Sequence, residues 1–494
     1  MVPDERRPCL FDVEASLSEA RGRFKALIEY LLDEGQGHDA YRVEIKVFRD
    51  ILAMALYLMA AWFMKKLGGN VGRAIVTDAG EEVPREALKS RRYVTIFGEL
   101  EVWRWFYHRD GSPGIFPLDR ETNLPESTYS YFVQDLLGER VTGETYEKAM
   151  AHFEKLFGFR PPKHTLEAMA PAAAVDADAY YESLGIPPPQ TEGEVLVMAI
   201  DGKGVPLVKE EPAEHKVRLG RGEKLSRKKE AVVSAVYTIA PQPRSADEVL
   251  REVCDKETPP KRPKPQNKRV RATLDGKENA ITWARADAER RDPDHRKPRV
   301  CLMDGSVGLW TLALVILAGA KFVLDFFHVS EHLWKVAYVF YPENSPQAKA
   351  FVRHHLRMLL EGKVGYVIGA LRQMLTKHAK TLNAAQRKIL QTTINYYDRN
   401  RPYMRYDECL AAGYPIGSGA VEGACRHLVK DRMEGSGMRW TVPGAEAVLK
   451  LRAVHINGDW DPFWQFHMQQ EARRRFGLRR WTALPSSERS KAAG

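Results

Sequence analysis

Glu194-Val-Leu-Val-Met-Ala-Ile-Asp-Gly-Lys-Gly-Val-Pro206 is the stretch on which the reading of this chain turns. An unbroken apolar run, Val195 to Ile200, is followed at once by Asp201, Gly202 and Gly204. A short apolar run bounded by turn residues predicts a strand buried on both faces. The strand is expected to stop at Asp201 and to hold that carboxylate rigidly where the sheet meets solvent.

Working outward, Ala231 to Ile239 reads as a second strand, hairpin-like with the first. Between them lies a basic loop carrying Arg218, Arg221, Lys224, Arg227, Lys228 and Lys229. Val270 to Leu274 is a candidate third strand and Glu278 to Arg290 a helix. Val300 to Met303 is a strand ending at Asp304-Gly305, Leu309 to Leu317 an apolar helix, and Phe322 to Leu324 a strand ending at Asp325. Strand, helix, strand implies a parallel α/β unit.

Parallel strands that end on one edge would gather Asp201, Asp304 and Asp325 where α/β sheets bind ligands. For any one of these acids alone, opening an Asp-Gly turn is the commoner role. Their repetition at successive strand ends is what points to chemistry. Converging carboxylates are hard oxygen ligands for Mg²⁺ (or Mn²⁺). Two such ions, about 4 Å apart, suit phosphodiester chemistry by activating the attacking oxygen and stabilising the leaving one.

A third ligand is expected at Glu422, near the start of a helix over about Ala420 to Met433. Ser418 is expected to cap that helix, and its dipole to keep the carboxylate ionised. Val421, Ala424, Cys425 and Leu428 form its packed stripe. Asp431 and Glu434 compete for the role, and a solvent-facing glutamate is the plain alternative.

His328-Val-Ser-Glu331-His332 also fits the inverted zinc-peptidase signature, which makes a zinc metallopeptidase the alternative function. That site needs both histidines on one helix. Because the motif follows a strand end directly, His328 is expected to fall outside the helix and the spacing to fail. The bland role for His328 is a hydrogen bond to a nearby carboxylate. Gly417 to Gly423 lacks the spacing of a phosphate loop and reads as a turn.

The whole chain has 494 residues, 44% hydrophobic and 28% charged, with a net charge of +10, so several cored domains and a polyanionic partner are both in reach. Five scattered cysteines without a Cys-x-x-Cys pair fit a reducing compartment and no cysteine zinc site. No basic-then-apolar leader pattern opens the chain. The apolar window Ile51 to Met64 is shorter than a bilayer span and reads as a core helix. The expectation is a cytoplasmic, nucleoid-associated protein without a membrane.

Six regions follow. Residues 1–75 are helical, with helices over about Leu17 to Asp33 and through Ile51 to Met64. Residues 76–190 hold an aromatic hairpin, Tyr93 to Phe97 with Leu100 to Tyr107, and then an amphipathic helix from Tyr146 to Phe157 that stops at Gly158. A second helix starts at Lys163-His-Thr165, so this region is helix-turn-helix-like and a candidate DNA-binding region. Residues 191–328 begin the α/β core, 329–412 are an all-helical insertion, 413–440 carry the Glu422 helix, and 441–494 hold a helical and basic tail. Lys203, Lys163 and Arg439 join the basic loop as candidate DNA contacts.

Met198-Ala-Ile-Asp-Gly-Lys-Gly-Val205, Cys301-Leu-Met-Asp-Gly305, Asp325-Phe-Phe-His328 and Gly417-Ser-Gly-Ala-Val-Glu-Gly423 together resemble bacterial insertion-sequence transposases of the ISKra type, distant relatives of the Mutator-like group. The resemblance covers roughly Tyr93 to Trp464. It implies a ribonuclease-H-like α/β catalytic core with an all-α insertion before the glutamate, behind a mostly α-helical DNA-binding region. It implies an Asp-Asp-Glu triad at Asp201, Asp304 and Glu422 holding two Mg²⁺ or Mn²⁺ ions, with Asp325 and His328 as an accessory Asp-x-x-His pair. Where relatives carry a cysteine pair after the hairpin, this chain has His108-Arg-Asp-Gly111, so no zinc knuckle is expected there. The implied partners are double-stranded DNA, both terminal inverted repeats and target, and other copies of the chain in a homo-oligomer on DNA. A non-catalytic DNA-binding descendant is a further alternative.

Overall fold

The computed structural model describes residues 11–111, 113–209, 227–255, 262–435, 437–477 and 481–483. Arg218, Arg221 and Lys224 of the basic loop lie outside the described residues. The chain divides into two compact units, Met1–Glu182 with Asp459–Gly494, and Ser183–Gly458.

The first unit opens with α1 (Val13–Leu32) and α2 (Ala40–Lys65), each started by an aspartate: Asp12 accepts from the Ala15 N–H and Asp39 from the Arg42 N–H. Both helices are longer than expected because these caps sit upstream of the apolar periodicity. The expectation of a core helix at Ile51 to Met64 is corrected. In α2 only Ala61 and Phe63 are buried, and by length and composition this helix is apolar enough to cross a membrane. Next come β1 (Ala74–Thr77), β2 (Glu82–Thr95) and β3 (Gly98–Tyr107). The aromatic hairpin is therefore much longer than expected and belongs to a larger sheet. The short α3 (Pro117–Glu121) follows, then α4 (Tyr131–Gly143), α5 (Tyr146–Phe157), α6 (Lys163–Ala174) and α7 (Ala177–Ser183). Gly158, at φ 78°, ends α5 in the left-handed conformation and returns its N–H to Glu154 O at 2.8 Å. Helices α4, α5 and α6 share a core of Val133, Leu137, Met150, Phe153, Leu166 and Met169.

The second unit is built on β4 (Val195–Pro206), β5 (Lys228–Ile239), α8 (Ala246–Asp255), β6 (Gln266–Thr273), α9 (Lys277–Arg291), β7 (Arg299–Met303), α10 (Val307–Ile316) and β8 (Lys321–Leu324). Its strands form one mixed sheet in the order β6-β5-β4-β7-β8. The β4–β5 and β5–β6 pairs are antiparallel, β4–β7 and β7–β8 parallel. Residues Val195 to Ile200 are buried on both faces, as the apolar run requires.

The expected end of this strand at Asp201 is corrected. Strand β4 runs on to Pro206, still paired with β5, while its pairing with β7 stops at Ile200 opposite Met303. Asp201 thus marks the end of the parallel half of the sheet, not the end of the strand.

Four helices follow: α11 (Phe326–Phe340), α12 (Pro346–Leu360), α13 (Val364–Lys377) and α14 (Ala384–Asn400). After α15 (Tyr406–Ala411) comes the Glu422 helix in three pieces. These are α16 (Gly419–Ala424), a π turn over Cys425–Lys430, and α17 (Asp431–Met433). Helix α18 (Val442–Ile456) closes the unit. The chain then re-enters the first unit with α19 (Trp460–Phe476) and β9 (Trp481–Ala483). Strand β9 completes a four-stranded sheet in the order β3-β2-β1-β9.

Candidate metal centre

Parallel register sets the site. Ile200 pairs with Met303 and Met303 with Leu324, so Asp201, Asp304 and Asp325 stand each one residue past the same row. Adjacent strands lie about 4.8 Å apart, which puts the three acids side by side across the sheet edge.

Each acid is held differently. Asp201 Oδ1 accepts from its neighbour Gly202 N–H at 2.7 Å, and Oδ2 faces Cys425 Sγ at 3.2 Å. Asp304 Oδ1 accepts from Ser306 N–H at 2.8 Å, closing a turn through Gly305 at φ 88°. The turn role weighed for a lone Asp-Gly is therefore present, and it occupies one carboxylate oxygen. Helix α14 buttresses this turn from outside the sheet. Tyr396 OH donates to Asp304 O at 2.6 Å and Arg399 to Gly305 O at 3.2 Å.

Asp325 is fully buried and saturated. It caps α11 through Phe327 N–H at 2.9 Å, meets His328 Nδ1 at 2.8 Å, and accepts from the Ser418 hydroxyl. Burial pushes its carboxyl up, but these bonds from His328 and Ser418 outweigh it and hold it below the usual range. The hydrogen bond to Asp325 in turn lifts His328 to about 9, against the opposing effect of burial, with Asp304 and Asp201 adding to the rise.

Glu422 lies on the first turn of α16, with Ser418 Oγ 3.2 Å from its Oε1. Two expectations are corrected here. Ser418 makes no side-chain cap, because its hydroxyl is taken by Asp325. Nor does the helix end keep Glu422 readily ionised: although its side chain is exposed, partial desolvation in the cleft, then the nearby Asp325 charge, raises its carboxyl. The stripe Val421, Ala424, Cys425 and Leu428 is buried.

Asp201, Asp304, His328, Glu422 and Cys425 line one open cleft of about 640 Å³, joined by Lys203, Arg426, Lys430 and Asp431. Among the described residues, the group whose ligand atoms come within 4.8 Å of one another is Asp325, His328 and Glu422. Asp431 is engaged by His427 at 3.1 Å, and Glu434 by Lys228 at 2.9 Å in a neighbouring cleft.

The structure also corrects the placement of His328, which sits inside α11 with His332 one turn on. His332, however, stacks on Tyr396 and turns Nδ1 towards Thr393 at 3.4 Å. Burial, then the charges of Lys335 and His328, lowers it to about 4. The histidine pair thus splits between the cleft and a packed aromatic environment.

Of the basic candidates, Lys203 lines the acid cleft, while Arg227, Lys228 and Arg439 line the neighbouring one with Lys209. Lys229 is on β5 opposite Val205. Lys163 belongs to the first unit, where Glu167 stands 3.1 Å away. The sequence reading missed Ser418 as a ligand of Asp325, Cys425 as a neighbour of Asp201, and the Tyr396 and Arg399 buttress. A polar residue inside the Gly417–Gly419 turn was the one available signal. No protein-family model matches this chain, and a search of curated proteins returns no significant match.

Proposed function

We propose that this chain is a metal-dependent DNA transposase of the Asp-Asp-Glu, ribonuclease-H-like class, as its resemblance to ISKra-type transposases implies. One observation carries the reading: Asp201 and Asp304 stand one residue past the last parallel row and share a cleft with Glu422. A sheet with three antiparallel strands followed by two parallel ones, with helices inserted before the glutamate, supports the fold assignment.

The donor set fits divalent cations. The recorded partners of Asp201 and Asp304 are backbone N–H groups and one thiol, and among the described residues no Lys or Arg pairs with either. Asp201, Asp304 and Glu422 would hold Mg²⁺ or Mn²⁺. Bound there, the ions supply activation of water or a 3′-hydroxyl and stabilisation of the leaving oxygen. Asp325 fixes His328 and Ser418 and, being saturated, serves as a positioning residue. The basic side chains of the two clefts would neutralise phosphates, giving DNA affinity that falls steeply with salt.

The test uses the full-length protein, Mg²⁺ and duplex DNA carrying the sequences that flank the gene. Asp201→Asn is expected to lower cleavage on the order of 100- to 1000-fold while binding persists. Undiminished cleavage by that variant would remove Asp201 from the site and the reading with it.

A further inference from the structure

Helix α2 has three faces, and two are covered. Towards α1 it presents Lys46, Asp50, Tyr57 and Met64; Arg23 of α1 lies over the Tyr57 ring, Tyr30 beneath Lys46, and Ser16 beside Met64. Towards the β-sheet it packs Leu56, Met59, Ala60 and Phe63 against Tyr93, Leu100 and Val102. The third face is open: Tyr41 is 69% exposed, Phe48 43%, and Ile51, Leu58 and Trp62 each 45%. With Ala55 these positions follow one another at spacings of seven, three, four, three and four, the seam of a helix that packs on another helix.

We infer that this seam is the contact between two copies of the chain, α2 against α2 in antiparallel order. Three observations choose that occupant. The seam is nearly symmetric about Ala55: a two-fold axis there sets Phe48 against Trp62 of the second copy and brings Ile51 and Leu58 of the two copies together. The small Ala55 side chain meets itself where the helices cross closest, and one patch serves both copies. Charge agrees, because the same register brings Glu44 to Lys65 and Lys66 of the second copy, whereas a parallel pair would set Glu44 against Glu44.

Area agrees as well. An aromatic side chain buries roughly 150–250 Å², so these exposed fractions offer on the order of 500–600 Å² per copy. That approaches the ~800 Å² per partner of a standard interface before any flanking residue is counted. A bilayer fits the face less well. Arg42, Glu44, Lys46, Arg49 and Asp50 occupy the first half of the helix. The charge-free part, Ile51 to Met64, spans about 21 Å, short of the ~30 Å hydrocarbon core.

Sedimentation of the full-length chain across a micromolar concentration series should show a dimer. Ile51→Glu with Leu58→Glu, both at exposed positions, should weaken association on the order of 100-fold or more with helical circular dichroism unchanged. Oxidising a mixture of Phe48→Cys and Trp62→Cys proteins should cross-link one variant to the other. A wild-type monomer at every concentration, or a dimer indifferent to the glutamates, would overturn the proposal. So would cross-linking of Phe48→Cys to itself, which marks a parallel pair. Binding of a monomeric wild-type chain to phosphatidylcholine vesicles, lost in the double variant, would replace it with a lipid surface.

Discussion

The two ends of the parallel β4–β7 pairing carry comparable numbers of acids and treat them in opposite ways. At the starting end, four acids each meet an arginine. The fully buried Arg291 side chain stands 2.8 Å from Asp287 and 3.9 Å from Glu192, and Arg299 lies 2.7 Å from Glu289 and 3.6 Å from Asp292. At the finishing end, Asp201, Asp304 and Glu422 share their cleft with Cys425, His328, Lys203, Arg426 and Lys430, yet among the described residues none of the three acids pairs with a lysine or arginine. Permanent counter-charges make the first end a structural joint. At the second, the cations line the cleft without pairing to these acids, which leaves a concentration of carboxylates whose natural complement is a mobile cation.

The sharpest way to break this contrast is by activity. Asp304→Asn should depress metal-dependent DNA cleavage on the order of 100- to 1000-fold, measured on the same flanking duplex, with little loss of thermal stability. Equal damage to folding would move Asp304 to the structural side of the comparison. Next in size, Arg291→Met leaves the buried Glu192 without its cation, while Asp287 keeps Arg290. Urea denaturation should show a loss of about 3–5 kcal/mol, with activity per folded molecule preserved. A neutral result would mean the arginine end is no joint at all.

Third, Mg²⁺ at a hundredfold its Kd should stabilise the protein by about 2.7 kcal/mol, read as a rise in Tm. The rise should vanish in Glu422→Gln and survive in Glu434→Gln, since Glu434 is spoken for by Lys228. The smallest effect concerns pH without metal. Burial raises Asp201 above its unfolded value, with Asp304 adding to the rise, although Cys425 and the Gly202 N–H oppose it. The folded state therefore holds the proton longer, and stability falls as pH climbs from about 4 through the folded pKa. Asp201→Asn escapes that fall, so its metal-free Tm should exceed wild type at neutral pH and converge with it in acid. No convergence would show that ionisation of Asp201 is not what distinguishes the two.

Much of the acid end was legible because apolar strands and the acids after them are local signals. Val195–Ile200, Val300–Met303 and Phe322–Leu324 each announce a buried strand, and an Asp follows each. The extension of β4 past Asp201 was hidden because Gly202, Lys203 and Gly204 carry no apolar pattern there, and β5 alone holds them in the sheet. Ser418 looked like a cap because only sequence neighbours were in view, while its hydroxyl goes to an aspartate 93 residues earlier. The buttress of Tyr396 and Arg399 is equally non-local. Helix α4 was a different kind of miss, since Val133, Leu137 and Val141 repeat at four-residue intervals in plain sight.

The loosened turn at Cys425–Lys430 gives the Glu422 helix an unusual arithmetic. A π turn is what a helix makes when it accommodates one residue more than its regular winding allows. Upstream of it, Glu422 lines the cleft and Val421 is buried; downstream, Asp431 meets His427 and the Met433 carbonyl accepts from the Trp440 indole. Removing a single residue inside the turn would let regular winding resume and rotate one half against the other by about 100°. The glutamate and the buried Val421 could not then both keep their places. Tolerance to length change should therefore be lowest in these six residues, three of which, Cys425, Arg426 and Lys430, themselves line the acid cleft.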